Sequence, residues 1–106
     1  MISRKSVRYG VQLTATLHEA GRTHQGTVVN LSIDGCAVIT ETAVKAGSYW
    51  SLSVETGQTD RTIEVELAVV RWRRDGRCGM EFIRIQDDWK QHLAAFVQLL
   101  ETSPPR

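Results

Sequence analysis

From Val11 to Leu17 the apolar residues of this chain recur at every second position. The same period returns in short segments as far as Ile85, separated by tight turns built on glycine and one polar loop. Period two is the signature of strands with one face in a core and one outside. Val11, Leu13, Ala15 and Leu17 alternate with Gln12, Thr14 and Thr16. After a turn at Gly21-Arg22, Gln25 to Leu31 reads as a second strand and Cys36 to Thr40 as a third, with Asp34-Gly35 between them as a two-residue hairpin signal. Ala46-Gly47 leads into Tyr49 to Glu55, where Trp50, Leu52 and Val54 share one face. Beyond a polar loop over Thr56 to Asp60, Ile63, Val65, Leu67 and Val69 share a face, while Val70 and Trp72 fall on the other. That change of phase predicts a β-bulge near Val69-Val70, or a strand covered on both faces. Asp75-Gly76 turns the chain into Cys78 to Ile85.

Six short strands with tight turns must close on themselves or stack, because open edges invite further pairing. The period changes only at the end. Trp89, Leu93, Phe96, Val97 and Leu100 recur at spacings of three and four, behind Asp87 or Asp88 as a cap and ahead of Ser103-Pro104-Pro105. The expected architecture is mainly β, a six-stranded antiparallel barrel over 10–85 with a C-terminal helix over 87–101 lying across an open end. The 106 residues carry no linker composition or internal repeat, so 1–106 reads as one domain.

Composition narrows the function. With 42% apolar and 24% charged residues the chain is an ordinary folded domain. A net charge of +1 argues against a general binder of nucleic-acid polymers. Ten of the thirteen basic residues are nonetheless arginines, which favours specific anion contacts. No apolar run reaches membrane-spanning length and Met1-Ile2-Ser3-Arg4 opens no signal peptide, so the expectation is a cytoplasmic protein without membrane insertion. Cys36 and Cys78 each adjoin a glycine and read as reduced, half-buried neighbours, while His18, His24 and His92 show no metal-ligand spacing. No Ser-His-Asp order or phosphate-cradling loop appears, so neither an enzyme nor a cofactor is expected.

Two polar stretches are left over from the core pattern. One is Arg4-Lys5-Ser6-Val7-Arg8, just before the first strand. It is either a solvated tail or a loop whose two guanidinium groups hold one compact anion. The other is Asn30-Leu31-Ser32-Ile33-Asp34-Gly35. It is either a plain strand end and turn, or a site where Asn30 and Ser32 point outward to a base edge and Gly35 allows close approach. Arginine grips phosphates and guanine edges bidentately and stacks on flat rings. A guanine nucleotide satisfies both stretches together. Trp72 among Arg71, Arg73 and Arg74 is the densest basic-aromatic run. It reads as a half-buried tryptophan with solvent-facing arginines, or as a stacking site for single-stranded nucleic acid. Tyr9 either packs on a ligand or starts the first strand.

Arg-x-x-x-Arg before the first strand, Asn-x-Ser-x-x-Gly at the end of the second, and Gly79-Met80-Glu81-Phe82 before a final helix together resemble the PilZ domain family over nearly the whole chain. The resemblance implies a receptor for the bacterial second messenger cyclic di-GMP, with Arg4 and Arg8 on phosphates and guanines and Asn30, Ser32 and Gly35 as the second motif. Many members carry a further arginine where Ser3 stands here. Charge-assisted bonds that only offset the ordering of a few loop residues suit a switch, so residues 1–9 are expected to be mobile when free and to fold onto the barrel with ligand. With no output domain in this sequence, an effector protein is the expected partner. The resemblance implies control of motility, exopolysaccharide or biofilm. The alternative is a PilZ-like protein-interaction module that does not bind cyclic di-GMP.

Overall fold

The structure, a computed structural model, describes residues 7–57 and 62–102. Six antiparallel strands, β1 (Tyr9–Glu19), β2 (Arg22–Leu31), β3 (Gly35–Ile39), β4 (Tyr49–Glu55), β5 (Thr62–Arg74) and β6 (Arg77–Arg84), are followed by one helix, α1 (Asp87–Thr102). The strands close a barrel in the order β1-β2-β3-β6-β5-β4, with β4 hydrogen-bonded back to β1. Closure leaves no free edge. The polar loop and the Ser103-Pro104-Pro105 stop lie outside or at the border of the described residues.

Alternation fills the barrel as the sequence requires. Ala15, Leu17, Val28, Val38, Leu52, Val54, Val65, Val70 and Met80 are all buried inside. Trp50 is buried too, and its indole N–H donates to Ser48 Oγ at 2.9 Å, satisfying its one polar atom. Leu93 and Phe96 of α1 plug one end, with Trp89, Val97 and Leu100 packed around them. The helix begins at Asp87, and the Lys90 N–H donates to the Gln86 carbonyl at 2.9 Å. Both aspartates therefore sit in the first turn, where their charge complements the helix dipole, and Gln86 precedes them.

Two turns are built on paired left-handed residues. Ala20-Gly21 (φ 48° and 79°) joins β1 to β2, and Asp75-Gly76 (φ 51° and 78°) joins β5 to β6. Both are mirror-image turns that match strand twist. The first lies one residue earlier than Gly21-Arg22, so β2 starts at Arg22 and pairs along its whole length with β1. Asp34-Gly35 is not such a turn. Gly35 is the first residue of β3, paired with Glu81, and the link from β2 is Ser32-Ile33-Asp34. The phase change in β5 is real: its register with β6 shifts between Leu67 and Ala68 and again between Val70 and Trp72.

Both thiols are inside. Cys36 faces Met80 and Cys78 faces Val38 on the paired strands β3 and β6, and neither is in a disulfide. Burial, and secondarily the neighbouring Cys78, pushes the Cys36 thiol from its ordinary 9.0 up to about 12, against a smaller opposing pull from Arg8. Burial also raises Cys78, opposed by Arg73. Both residues should therefore resist Ellman's reagent at pH 8 in the folded protein and react at once in denaturant. Because the folded values lie above the ordinary 9.0, their effect on stability is absent below pH 9. Stability should then fall as the pH climbs from 9.0 towards about 12. Fast labelling of native protein would contradict the packing.

Candidate ligand site on the barrel wall

The two leftover stretches meet on the outside of the barrel. Arg8 precedes β1, where Tyr9 pairs with Leu31 and Gly10 with Asn30 of β2. This register brings Arg8 beside Asn30, and Arg8 Nη1 donates to Asn30 Oδ1 at 3.0 Å. Irregularities in register flank the spot, between Gly10 and Leu13 on β1 and between Val28 and Asn30 on β2. Such bulges re-aim side chains locally.

Gly35 completes the seat. A Cβ there would stand 2.5 Å from the Met80 carbonyl oxygen and 3.3 Å from Arg8 Nη2. The bare backbone is thus needed by β6 beneath and by the guanidinium above. The motif leaves that space for a ligand, and here Arg8 already occupies its rim.

Ser32 departs from the sequence expectation. It is fully buried and does not point outward. Its hydroxyl donates to Asp34 Oδ1 at 2.7 Å and accepts from the N–H groups of Asp34 (3.2 Å) and Gly35 (3.1 Å). The Ser32 N–H donates to the Gly35 carbonyl at 2.9 Å, and the Phe82 N–H donates to the Asp34 carbonyl at 2.9 Å. A short hydroxyl side chain reaching its own backbone is a local turn device. Ser32 shapes the loop that carries Gly35, and Asp34, read from sequence as a turn residue, is its partner.

Arg8 is half-buried and is in no ion pair among the described residues. Its Nε is shielded from solvent and has no hydrogen-bond partner among the described residues. A buried donor left unmade costs about 1–3 kcal/mol, so the seat holds a cation whose bonding is incomplete. Arg4 lies outside the described residues. Tyr9 begins β1 and turns to the helix. Desolvation, then the Glu101 charge and a hydrogen bond with it, raise the phenol above its ordinary value.

The register extends the site into a lane. On the outer face, Asn30 of β2 pairs with Ala37 of β3, Ala37 with Gly79 of β6, and Gly79 with Trp72 of β5. Three inter-strand steps of about 4.8 Å separate the ends. Small residues floor the lane, and the Trp72 indole lies where a Cβ on residue 79 would be. Trp72 is 43% exposed, with Arg71, Arg73 and Arg74 facing solvent around it. In the next row Gly35 pairs with Glu81, whose carboxylate Oε1 accepts from Arg71 Nε at 2.6 Å. Of the three arginines around Trp72, Arg71 is therefore the one whose partner adjoins the Gly35 seat. Counting back from Asp75-Gly76 sets Trp72 opposite Gly79, a signal present in the sequence but unused. No group of three or more His, Cys, Asp or Glu side chains among the described residues is placed to hold a metal ion.

The PilZ domain family model matches residues 2–99. No curated protein sequence matches the chain. Among solved structures, the inhibitor of motility MotI/DgrA of Bacillus subtilis superposes with a TM-score of 0.81 at 21% identity, over 99% of this chain and 54% of that one. This chain thus spans about half the length of that protein. The PilZ domain of YcgR from Escherichia coli, solved with cyclic di-GMP, gives 0.74 at 16% identity, covering 93% and 92% of the two chains. The PilZ domain of CeSA from a cellulose-synthesizing bacterium gives 0.70 at 18%, covering 91% and 99%. At these identities the structural likeness shows the fold, and the family match carries the assignment: the chain belongs to the PilZ domain family.

Proposed function

We propose that this protein is a cyclic di-GMP receptor that grips the nucleotide at the Arg8, Asn30 and Gly35 seat and passes the change to a partner protein. PilZ domains are binding and adaptor domains rather than enzymes. The observation that carries the reading is Arg8: a cation without a carboxylate partner among the described residues, aimed by Asn30 over a bare backbone, with one donor unmade. A phosphate or guanine edge completes its bonding. Arg4, four residues upstream on the same segment, supplies a second guanidinium from the ligand's other side. Ser32 acts through the loop it braces. Motility, exopolysaccharide or biofilm control in the cytoplasm is the setting the family brings, and MotI/DgrA is itself an inhibitor of motility.

Each charge-assisted hydrogen bond contributes about 1.5–3 kcal/mol. Fixing backbone costs about 1–2 kcal/mol per residue. Two arginines with several such bonds offset the ordering of a handful of residues and leave a moderate affinity. Of residues 1–9, Tyr9 is already held in β1 and Arg8 by Asn30, so closing over the ligand falls to the residues before them.

Calorimetric titration with cyclic di-GMP, against GTP and cyclic di-AMP, should give saturable heat for the first alone. Heat of equal size from GTP would leave the site without the proposed selectivity, and no heat at all would favour the ligand-free interaction module. In the same assay Arg8→Ala should weaken binding more than about tenfold, the loss of one charge-assisted contact. Its thermal midpoint without ligand should hold. Ser32→Ala should lower that midpoint as well as affinity, because it unmakes buried bonds worth about 1–3 kcal/mol. A Ser32→Ala protein of unchanged stability would return Ser32 to the role of a direct contact. Hydrogen exchange over residues 1–9 should slow at saturation; unchanged exchange would sink the closing segment.

A further inference from the structure

Among the described residues, the β5–β6 hairpin carries, at the far end of the lane from Arg8, a cationic cluster that the Arg8, Asn30 and Gly35 seat does not use. Arg74 and Arg77 pair directly across its turn, and Arg77 pairs in turn with Ile39 of β3. These residues and Trp72, two positions before Arg74, share the outer face by strand alternation. Arg73, Arg74 and Arg77 are exposed, and none is in an ion pair among the described residues. Ile39 is 44% exposed and Trp72 43%. An open concavity of about 650 Å³ is lined by Trp72, Arg73, Arg74, Asp75 and Arg77.

Charge is segregated along the barrel. The hairpin lies at the start of β6 and α1 follows its end, so the two occupy opposite ends of that strand. The helix carries Asp87, Asp88 and Glu101 against Lys90 alone. A net charge of +1 thus conceals a basic tip and an acidic cap. Such a distribution orients a protein toward an anionic plane.

We propose that the β5–β6 hairpin docks this domain on an anionic phospholipid surface. Arg74 and Arg77 meet headgroup phosphates, and Ile39 and Trp72 rest in the apolar–polar boundary. A nucleic-acid strand fits less well. It needs cations along its track, whereas these are confined to one tip beside an exposed isoleucine. The contact is peripheral, since no helix among the described residues is long and apolar enough to cross a membrane. It does not depend on the nucleotide reading.

Cosedimentation with vesicles of equal parts phosphatidylglycerol and phosphatidylcholine tests it, with pure phosphatidylcholine vesicles and a single-stranded oligothymidylate as controls. Each basic residue near an anionic surface raises affinity about fivefold. The Arg74→Gln/Arg77→Gln variant should therefore lose about 25-fold, and Arg74→Lys/Arg77→Lys should keep most binding. Binding should vanish at about 1 M salt, where screening acts within about 3 Å. Ile39→Ser should weaken binding while leaving the salt dependence in place. Because these side chains are exposed, thermal midpoints should match the wild type, and cyclic di-GMP titration of the variants should match too. No sedimentation with anionic vesicles at low salt, undiminished binding by the glutamine variant, or binding of the oligonucleotide in place of vesicles would each overturn the proposal.

Discussion

A bare backbone at residue 35 is the constraint on which the site depends. Met80 of β6 brings its carbonyl oxygen to 2.5 Å from where a Cβ would stand, so only glycine lets β3 and β6 close the ladder there. The same glycine donates its N–H to Ser32 Oγ and offers its carbonyl to the Ser32 N–H, which fixes the loop from β2. Above it lies the Arg8 guanidinium. Barrel closure, loop shape and cation placement thus meet at one position. Adding a methyl group there would disturb all three.

The seat is joined to the helix at two places. Phe82 of β6 donates to the Asp34 carbonyl, and β6 runs on through Ile85 into α1. On the other side Tyr9, next to Arg8, reaches Glu101 in the last turn of α1. A ligand that changed the bonding of Arg8 would act on residues one step from each end of the helix. That gives the proposed receptor a physical route from nucleotide to partner, through hydrogen bonds that can be gained or lost rather than through a core that resists deformation.

Much of this was legible in the sequence because period two is hard to mistake over strands of this length. The barrel, the helix and the irregularity in β5 follow from where Leu17, Val54, Val70 and Phe96 fall. The misreadings concern short polar segments, where several local structures compete. Asp34-Gly35 has hairpin composition, yet Gly35 is used for close approach and Ser32 builds the turn with its own hydroxyl. For the same reason Ser32 faces inward, which alternation alone could not reveal, since it follows the last residue of β2. Trp72 over Gly79 was available by counting register from Asp75-Gly76. Arg8 beside Asn30 was not, because the pairing of Tyr9 with Leu31 depends on irregularities in β1. Arg4 lies outside the described residues, and its part in the site rests on the motif.

The most direct test of the account is nuclear magnetic resonance of arginine side chains during titration with cyclic di-GMP. The Arg8 Nε–H, without a partner among the described residues, should shift strongly and gain protection from exchange with water as the site fills, together with the Gly35 amide. If these resonances stayed in place while the ligand bound and perturbed residues elsewhere, the nucleotide would not sit on Arg8, and the assignment of this seat as the ligand site would be wrong.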